Sequence, residues 1–200
     1  MFGKLNNKKF ILHYLVLIKF FLVLFVVPME IKPSNKHRVI VNFDDPINSF
    51  EWIVINDNVM GGVSRSRVSL NPEGHMLFNG NVSLENGGGF ASVRSSYENW
   101  GIENFDGFVI KVSGDGKYYQ FRCRMGNSFD GVAYRHYFQT NNENWQEIRL
   151  PFSKFVPTYR GRILTDATPL DPKAISNLGI MISDKQSGNF NLKIAWIGVY

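Results

Sequence analysis

From Arg38 onward, apolar and polar residues alternate with a period of two, in short runs broken by Gly, Pro, Asn and Asp. That period puts successive side chains on opposite faces of a strand. It predicts strands over 38–43, 52–56, 65–70, 75–84, 90–95, 108–112, 117–125, 132–140, 145–150, 178–183 and 190–199. In the last of these, Phe190, Leu192, Ile194 and Trp196 are expected to face one way. Asn71-Pro72-Glu73-Gly74 is a strong turn sequence. Gly114-Asp115-Gly116, between two alternating runs, predicts a hairpin. Only 172–175 reads as helical, and briefly. Short, turn-punctuated strands without an amphipathic helix indicate an all-β domain, a β-sandwich or jelly roll.

The alternation also sets a register. Phe121, Cys123 and Met125 alternate with Gln120, Arg122 and Arg124; Val132, Tyr134 and Phe138 alternate with Arg135, Tyr137 and Gln139. A slip of one residue would bury the arginines. The consistent antiparallel pairing sets Cys123 opposite Tyr134, Arg122 opposite Arg135 and Gln120 opposite Tyr137. Like charges directly opposed are unfavourable in a sheet, so something negative is expected beside them. It is an internal acid such as Glu85 or Asp115, simply water, or an acidic partner or anionic ligand. Gln120, Arg122, Arg124, Arg135 and Tyr137 are therefore the candidate partner- or ligand-binding residues.

The stretch 57–64, Asp-Asn-Val-Met-Gly-Gly-Val-Ser, follows a strand and must redirect the chain within a few residues. Gly61 or Gly62 is expected at positive φ, where glycine has no steric cost. This stretch is followed in order by Val82 to Arg94, containing Asn86-Gly87-Gly88-Gly89-Phe90, and by Gly114 to Tyr119. Then come Pro151-Phe152-Ser153-Lys154-Phe155 after Trp145, 157–162, and 178–186. These six blocks resemble the complex I intermediate-associated protein 30 family over 43–200. The resemblance implies a galactose-binding-domain-like jelly roll with no catalytic residues and no cofactor. It also implies an assembly factor, chaperone-like, whose partners are proteins such as respiratory-complex subunits. Asp57, Met60, Gly61, Gly62, Ser64, Asn86, Gly88, Gly89, Phe90, Gly114, Asp115 and Gly116 carry the family pattern and are expected to be structural.

Charge changes the picture at one end. The net charge of +5 comes from 22 basic and 17 acidic residues. Lys4, Lys8, Lys9 and Lys19 all lie in 1–28, which has no acid, so 18 basic residues face 17 acidic ones in the rest. A near-neutral domain lacks the basic footprint of a nucleic-acid binder. Lysines followed by the apolar run 10–27 suggest a signal or membrane anchor, giving an anchored or exported protein. A start at Met29 would instead leave a cytoplasmic one. Lacking Arg and Ser, the segment does not look like a mitochondrial presequence. The expected organisation is 1–28 leader, 29–37 linker and 38–200 domain, with membrane contact only through the leader.

Candidate chemistry is sparse. His13, His37, His75 and His136 have no metal-ligand spacing. Asp44 and Asp45 fall short of a calcium site, so no metal is expected. Ser64 and Ser92 lack a nucleophile-elbow context. Asp57 and Glu85 could face each other as a glycosidase pair, but Asp57 reads equally well as a turn cap. The glycine run at 87–89 precedes no helix, so it suggests a bulge or close backbone approach rather than a nucleotide loop. Cys123, the single cysteine, reads as a buried structural thiol. Trp52, Trp100, Trp145, Tyr118, Tyr119, Tyr137 and Tyr159 could include a stacking platform for sugars. An exported carbohydrate-binding module is therefore the alternative to the assembly factor.

Overall fold

Period-two alternation builds two facing sheets. The computed structural model describes residues 37–45 and 51–200. The leader, and the anchor or export reading that rests on it, lie outside the described residues. In chain order the strands are β1 (Arg38–Asn42), β2 (Trp52–Asn56), β3 (Arg65–Leu70), β4 (Met76–Val82), β5 (Ala91–Ser95) and β6 (Gly107–Gly114). They continue with β7 (Tyr118–Met125), β8 (Ala133–Gln139), β9 (Gln146–Pro151), β10 (Val156–Tyr159), β11 (Arg162–Ile163), β12 (Ile175–Ile182) and β13 (Gly188–Val199). One sheet runs β3-β4-β13-β6-β9, with β1 also paired to β13; the other runs β11-β10-β8-β7-β12-β5-β2. All helical segments among the described residues are short 3-10 turns, including Pro172–Ala174 where the sequence reads as briefly helical. None is long and apolar enough to cross a membrane. The all-β jelly-roll sandwich is the architecture the alternation predicts.

The inner faces bury Phe78, Phe108, Ile110, Phe121, Cys123, Leu178, Ile180 and Leu192. Each large apolar side chain removed from water stabilises by about 1.5–3 kcal/mol. Much of the high aromatic content goes here: Phe108 meets Phe152 edge-on at 5.0 Å and Phe121 at 4.7 Å. Burial also pushes the Cys123 thiol well above its ordinary pKa, as an inert structural cysteine requires.

Three local expectations are corrected. Gly114-Asp115-Gly116 is not a hairpin, because β6 lies in the first sheet and β7 in the second. Both edges of β6 are taken by β13 and β9, and both edges of β7 by β12 and β8. The turn is therefore an arch between sheets. Asp115 fastens it by accepting from Lys117 N–H (3.2 Å), the Tyr119 hydroxyl (2.9 Å) and Asn191 N–H (3.0 Å). In β13 the register slips between Ile194 and Trp196. Phe190, Leu192 and Ile194 do share the core, but Ile197 and Val199 continue it, and Trp196 turns away to stack on His37 at 4.5 Å. Finally, β10 and β11 lie where no strand is expected; Pro157, which cannot donate to a ladder, masks the pattern there.

Candidate functional site

The outer face of the seven-stranded sheet gathers the polar halves of several alternating strands. On β7 and β8 the observed register sets Cys123 opposite Tyr134, Arg122 opposite Arg135 and Gln120 opposite Tyr137. Two further strands extend it. Gly179 of β12 lies opposite Arg122 on one side and opposite Arg94 of β5 on the other. One row therefore reads Arg94, Gly179, Arg122, Arg135 across four strands. The next reads Ser92, Met181, Gln120, Tyr137. Arg124 stands two positions further along β7, opposite Asn177.

This face has a buried floor and an exposed rim. Gln120 is 2% exposed and Arg124 7%, whereas Tyr137 is 41% and Tyr118 52% exposed. Arg122 Nη1 donates to Gln120 Oε1 (3.3 Å) and points at Met181 Sδ (2.9 Å), and its Nη2 reaches Thr158 Oγ1 at 3.4 Å. Gln120 Nε2 donates to Ser183 Oγ (2.8 Å) and Asp184 Oδ2 (3.1 Å). Arg94 Nη1 donates to the Phe129 carbonyl (2.5 Å), with its guanidinium 4.5 Å from the centre of the Phe129 ring. Arg135 lies over the Tyr137 ring at 4.9 Å, a cation–π arrangement that stabilises by about 0.5–1 kcal/mol at exposed sites.

Counter-charge is near but not paired: Asp184 accepts from Gln120 and Tyr137, and Asp130 acts on Arg94 and Arg124 at longer range. The ion pairs among the described residues are His75 with Glu73 and Arg160 with Asp130, and neither involves this face. The acids expected beside the arginines are elsewhere: Asp115 fastens the arch, and Glu85 is exposed on the 3-10 turn Glu85–Gly87. Arg122 Nε and Arg124 Nε are buried with no hydrogen-bond partner, as is Asn177 Oδ1 across from Arg124. Burial, reinforced by the charges of Arg94 and Arg135 at Arg122 and of Arg94 and Arg122 at Arg124, pushes Arg122 down to about 10 and Arg124 down to about 9. An unpaired buried charge is expensive, so the arrangement favours an incoming anion.

The family-pattern residues form a different constellation. Asp57 is inaccessible to solvent. Its carboxylate accepts from Ser64 N–H (2.9 Å), the Ser64 hydroxyl (2.5 Å), Gly89 N–H (2.7 Å) and Phe90 N–H (3.2 Å). Ser64 Oγ in turn accepts from Ser83 N–H at 3.0 Å. A Cβ on Gly62 or Gly88 would strike the Asp57 carboxyl group. Gly61 ends the 3-10 turn Asp57–Met60 at φ 90°, and Asn86 adopts φ 55°. Two loops far apart in sequence are thus tied to one buried carboxylate. Burial raises its pKa, but the bonds from Ser64, Gly89 and Phe90 outweigh that and hold it below the ordinary value. Held by four hydrogen bonds and with no solvent access, Asp57 is not placed to serve as half of a glycosidase pair. Gly114, Asp115 and Gly116 form the arch described above. Met60 is 69% exposed and belongs to the turn's outer surface.

The candidate aromatics separate. Trp100 and Tyr119 are core, Trp52 packs on Phe43 at 5.7 Å, and Trp145 leans on His75 at 4.6 Å. Tyr159 is exposed and lies under the Arg160 guanidinium. Tyr118 and Tyr137 alone of the set join the arginine face. Among the described residues no group of three or more His, Cys, Asp or Glu could hold a metal ion. Sequence reasoning missed Arg94, Gly179, Met181, Thr158 and Asp184. Alternation in 91–95 puts Arg94 opposite in facing to Val93, but nothing in the sequence tells which strand lies beside it.

Residues 41–194 match the profile of the family described as complex I intermediate-associated protein 30. A relative of that name from Mus musculus, labelled mitochondrial, is 28% identical over 86% of this chain and 59% of its own length. A probable complex I intermediate-associated protein 30 of Caenorhabditis elegans, also labelled mitochondrial, is 30% identical over 83% of this chain and 55% of its own. The chain therefore spans less than two thirds of these relatives. Among solved structures, a family 11 carbohydrate-binding module of a cellulosomal cellulase from Clostridium thermocellum superposes with a TM-score of 0.61 at 14% identity. It covers 82% of this chain and 94% of the module. At that identity the likeness concerns the fold.

Proposed function

The chain belongs to the complex I intermediate-associated protein 30 family, and from that premise we propose that it is a non-catalytic assembly-associated factor. Its partner is a protein, a subunit or intermediate of a respiratory complex, and it docks on the outer face of the seven-stranded sheet. The observation that carries this reading is the group Arg94, Arg122, Arg124 and Arg135, which share one face with no carboxylate at ion-pair distance among the described residues. An acidic partner surface supplies the missing charge. Arg135 and Tyr137 on the rim provide the planar cation and aromatic groups that dominate many interfaces. The test is affinity capture by the full chain from solubilised native membranes. Recovery of respiratory-complex subunits, weakened by salt, supports the reading; their absence from the eluate opposes it.

A second reading, carbohydrate binding, is favoured by Tyr118 and Tyr137, both exposed on the same face beside Gln120 and Asp184. Aromatic rings flanked by amides and carboxylates suit sugar hydroxyls. Retention of the chain in a polysaccharide-containing native gel, lost on replacing both tyrosines, would favour it over the protein partner.

A further inference from the structure

We infer that the floor of this face, bounded by Arg94, Arg122 and Arg124, is a seat for a phosphate group. The inference rests on the reading of this face as the binding surface and names what its floor takes. Geometry supplies the first argument. Arg94 and Arg122 are in register two strands apart, about 10 Å at ordinary strand spacing, and the position between them is Gly179. Gly179 adds no side chain of its own there; the Arg94 stem lies against that position, and the Arg122 guanidinium reaches over the same strand to Met181. Arg124, from the next outward position of β7, closes a third side.

The second argument is unspent donor capacity. Arg124 is 7% exposed, and its Nε has no partner; the buried Nε of Arg122 has none either. Neutral groups take the remaining bonds of Arg122 and the one bond of Arg94: an amide oxygen, a thioether, a hydroxyl and a carbonyl. The acids in reach are engaged by others. Asp130 pairs with Arg160 at 3.6 Å, and Asp184 accepts from Gln120, Ser183 and Tyr137. Asp130 acts on Arg94 and Arg124 only at longer range, so three cations share this floor with no carboxylate at ion-pair distance among the described residues.

The third argument is chemical type. The three cations are all guanidinium, whose planar fork matches phosphate oxygens two at a time. A tetrahedral dianion presents oxygens toward three directions and offsets most of three positive charges. A single carboxylate does neither.

The experiment is isothermal titration of the purified full chain with sodium phosphate, with sodium acetate and chloride at matched ionic strength as comparators. The expected result is saturable one-to-one binding of phosphate at least about tenfold tighter than acetate, since each extra charge-assisted bond is worth about that factor. Arg122→Gln and, independently, the less buried Arg94→Gln should each weaken it about tenfold, while Arg160→Gln leaves it unchanged. Circular dichroism confirms that the variants are folded. No saturable phosphate binding, equal binding of acetate, or binding unaffected in both face variants would overturn the seat. Vesicles separate the sources of phosphate. Co-sedimentation with phosphatidic acid over phosphatidylcholine, competed by free phosphate, assigns a lipid headgroup. Phosphate binding without co-sedimentation assigns a soluble phosphate ester. Either assignment supports the seat. No partner protein is present, so failure here leaves the capture experiment to stand or fall separately.

Discussion

Replacing Asp57 by Asn tests what ties the two family loops together. The side chain keeps its volume, so no cavity forms, but its charge and one acceptor are lost. Oδ2 accepts three bonds, from the Ser64 hydroxyl, Gly89 N–H and Phe90 N–H; Oδ1 accepts one, from Ser64 N–H. The best orientation of an asparagine keeps its oxygen at the three-bond site and turns its NH2 toward Ser64 N–H, donor against donor. A buried donor left unpaired costs about 1–3 kcal/mol, and each surviving bond drops from the charged to the neutral class, losing about 0.5–1 kcal/mol. The total is about 3–5 kcal/mol, a large part of a typical 5–15 kcal/mol stability. The pH dependence has a fixed sign. Because the folded-state pKa of Asp57 is held below the ordinary 3.8, its contribution is fully present above that value. It is lost as pH falls through the folded-state value. Urea unfolding followed by tryptophan fluorescence at neutral and acid pH measures both effects. The gap between wild type and Asp57→Asn should be wide at neutral pH and narrow in acid. A neutral-pH gap below about 1 kcal/mol, or one that does not change with pH, refutes the reasoning.

The two glycines beside that carboxylate should separate by mechanism. Gly61→Ala meets open space and carries only the strain of φ 90°, about 1–2 kcal/mol by urea midpoint. Gly62→Ala should cost more than this, because its Cβ collides with Asp57. Cys123, buried with its thiol pKa pushed up, should resist a thiol reagent in the native state and react fully once unfolded. Tyr119→Phe removes the hydroxyl bond to Asp115 across the arch, costing about 1 kcal/mol in thermal unfolding.

Much of this fold can be read along the chain, and what cannot is non-local. The β7–β8 register follows from where Phe121, Cys123 and Tyr134 must go, since one residue of slip would bury arginines. The arch at Gly114-Asp115-Gly116 uses the same residues as a hairpin, and only the partners on both edges of β6 and β7 decide between them. The bulge before Trp196 leaves an alternating sequence intact while reversing its facing. Asp57 reads as a local cap because its strongest partner beyond Ser64 lies 32 positions away, at Gly89. Arg94 is legible as outward-facing, but its place beside Arg122 depends on β12 lying between them. The depth of the floor is a tertiary property as well, since alternation tells facing and not exposure.

The central claim is that the arginine- and tyrosine-bearing sheet face is where this chain holds its partner. Arg135 is half-buried and Tyr137 exposed; they touch each other, and neither belongs to the apolar core. The decisive measurement is quantitative capture of respiratory-complex subunits from native membranes by the wild-type chain and by Arg135→Glu/Tyr137→Ser, with unfolding midpoints recorded for both. The account predicts that capture is lost while the midpoint barely moves. Undiminished capture by the folded double variant would contradict it.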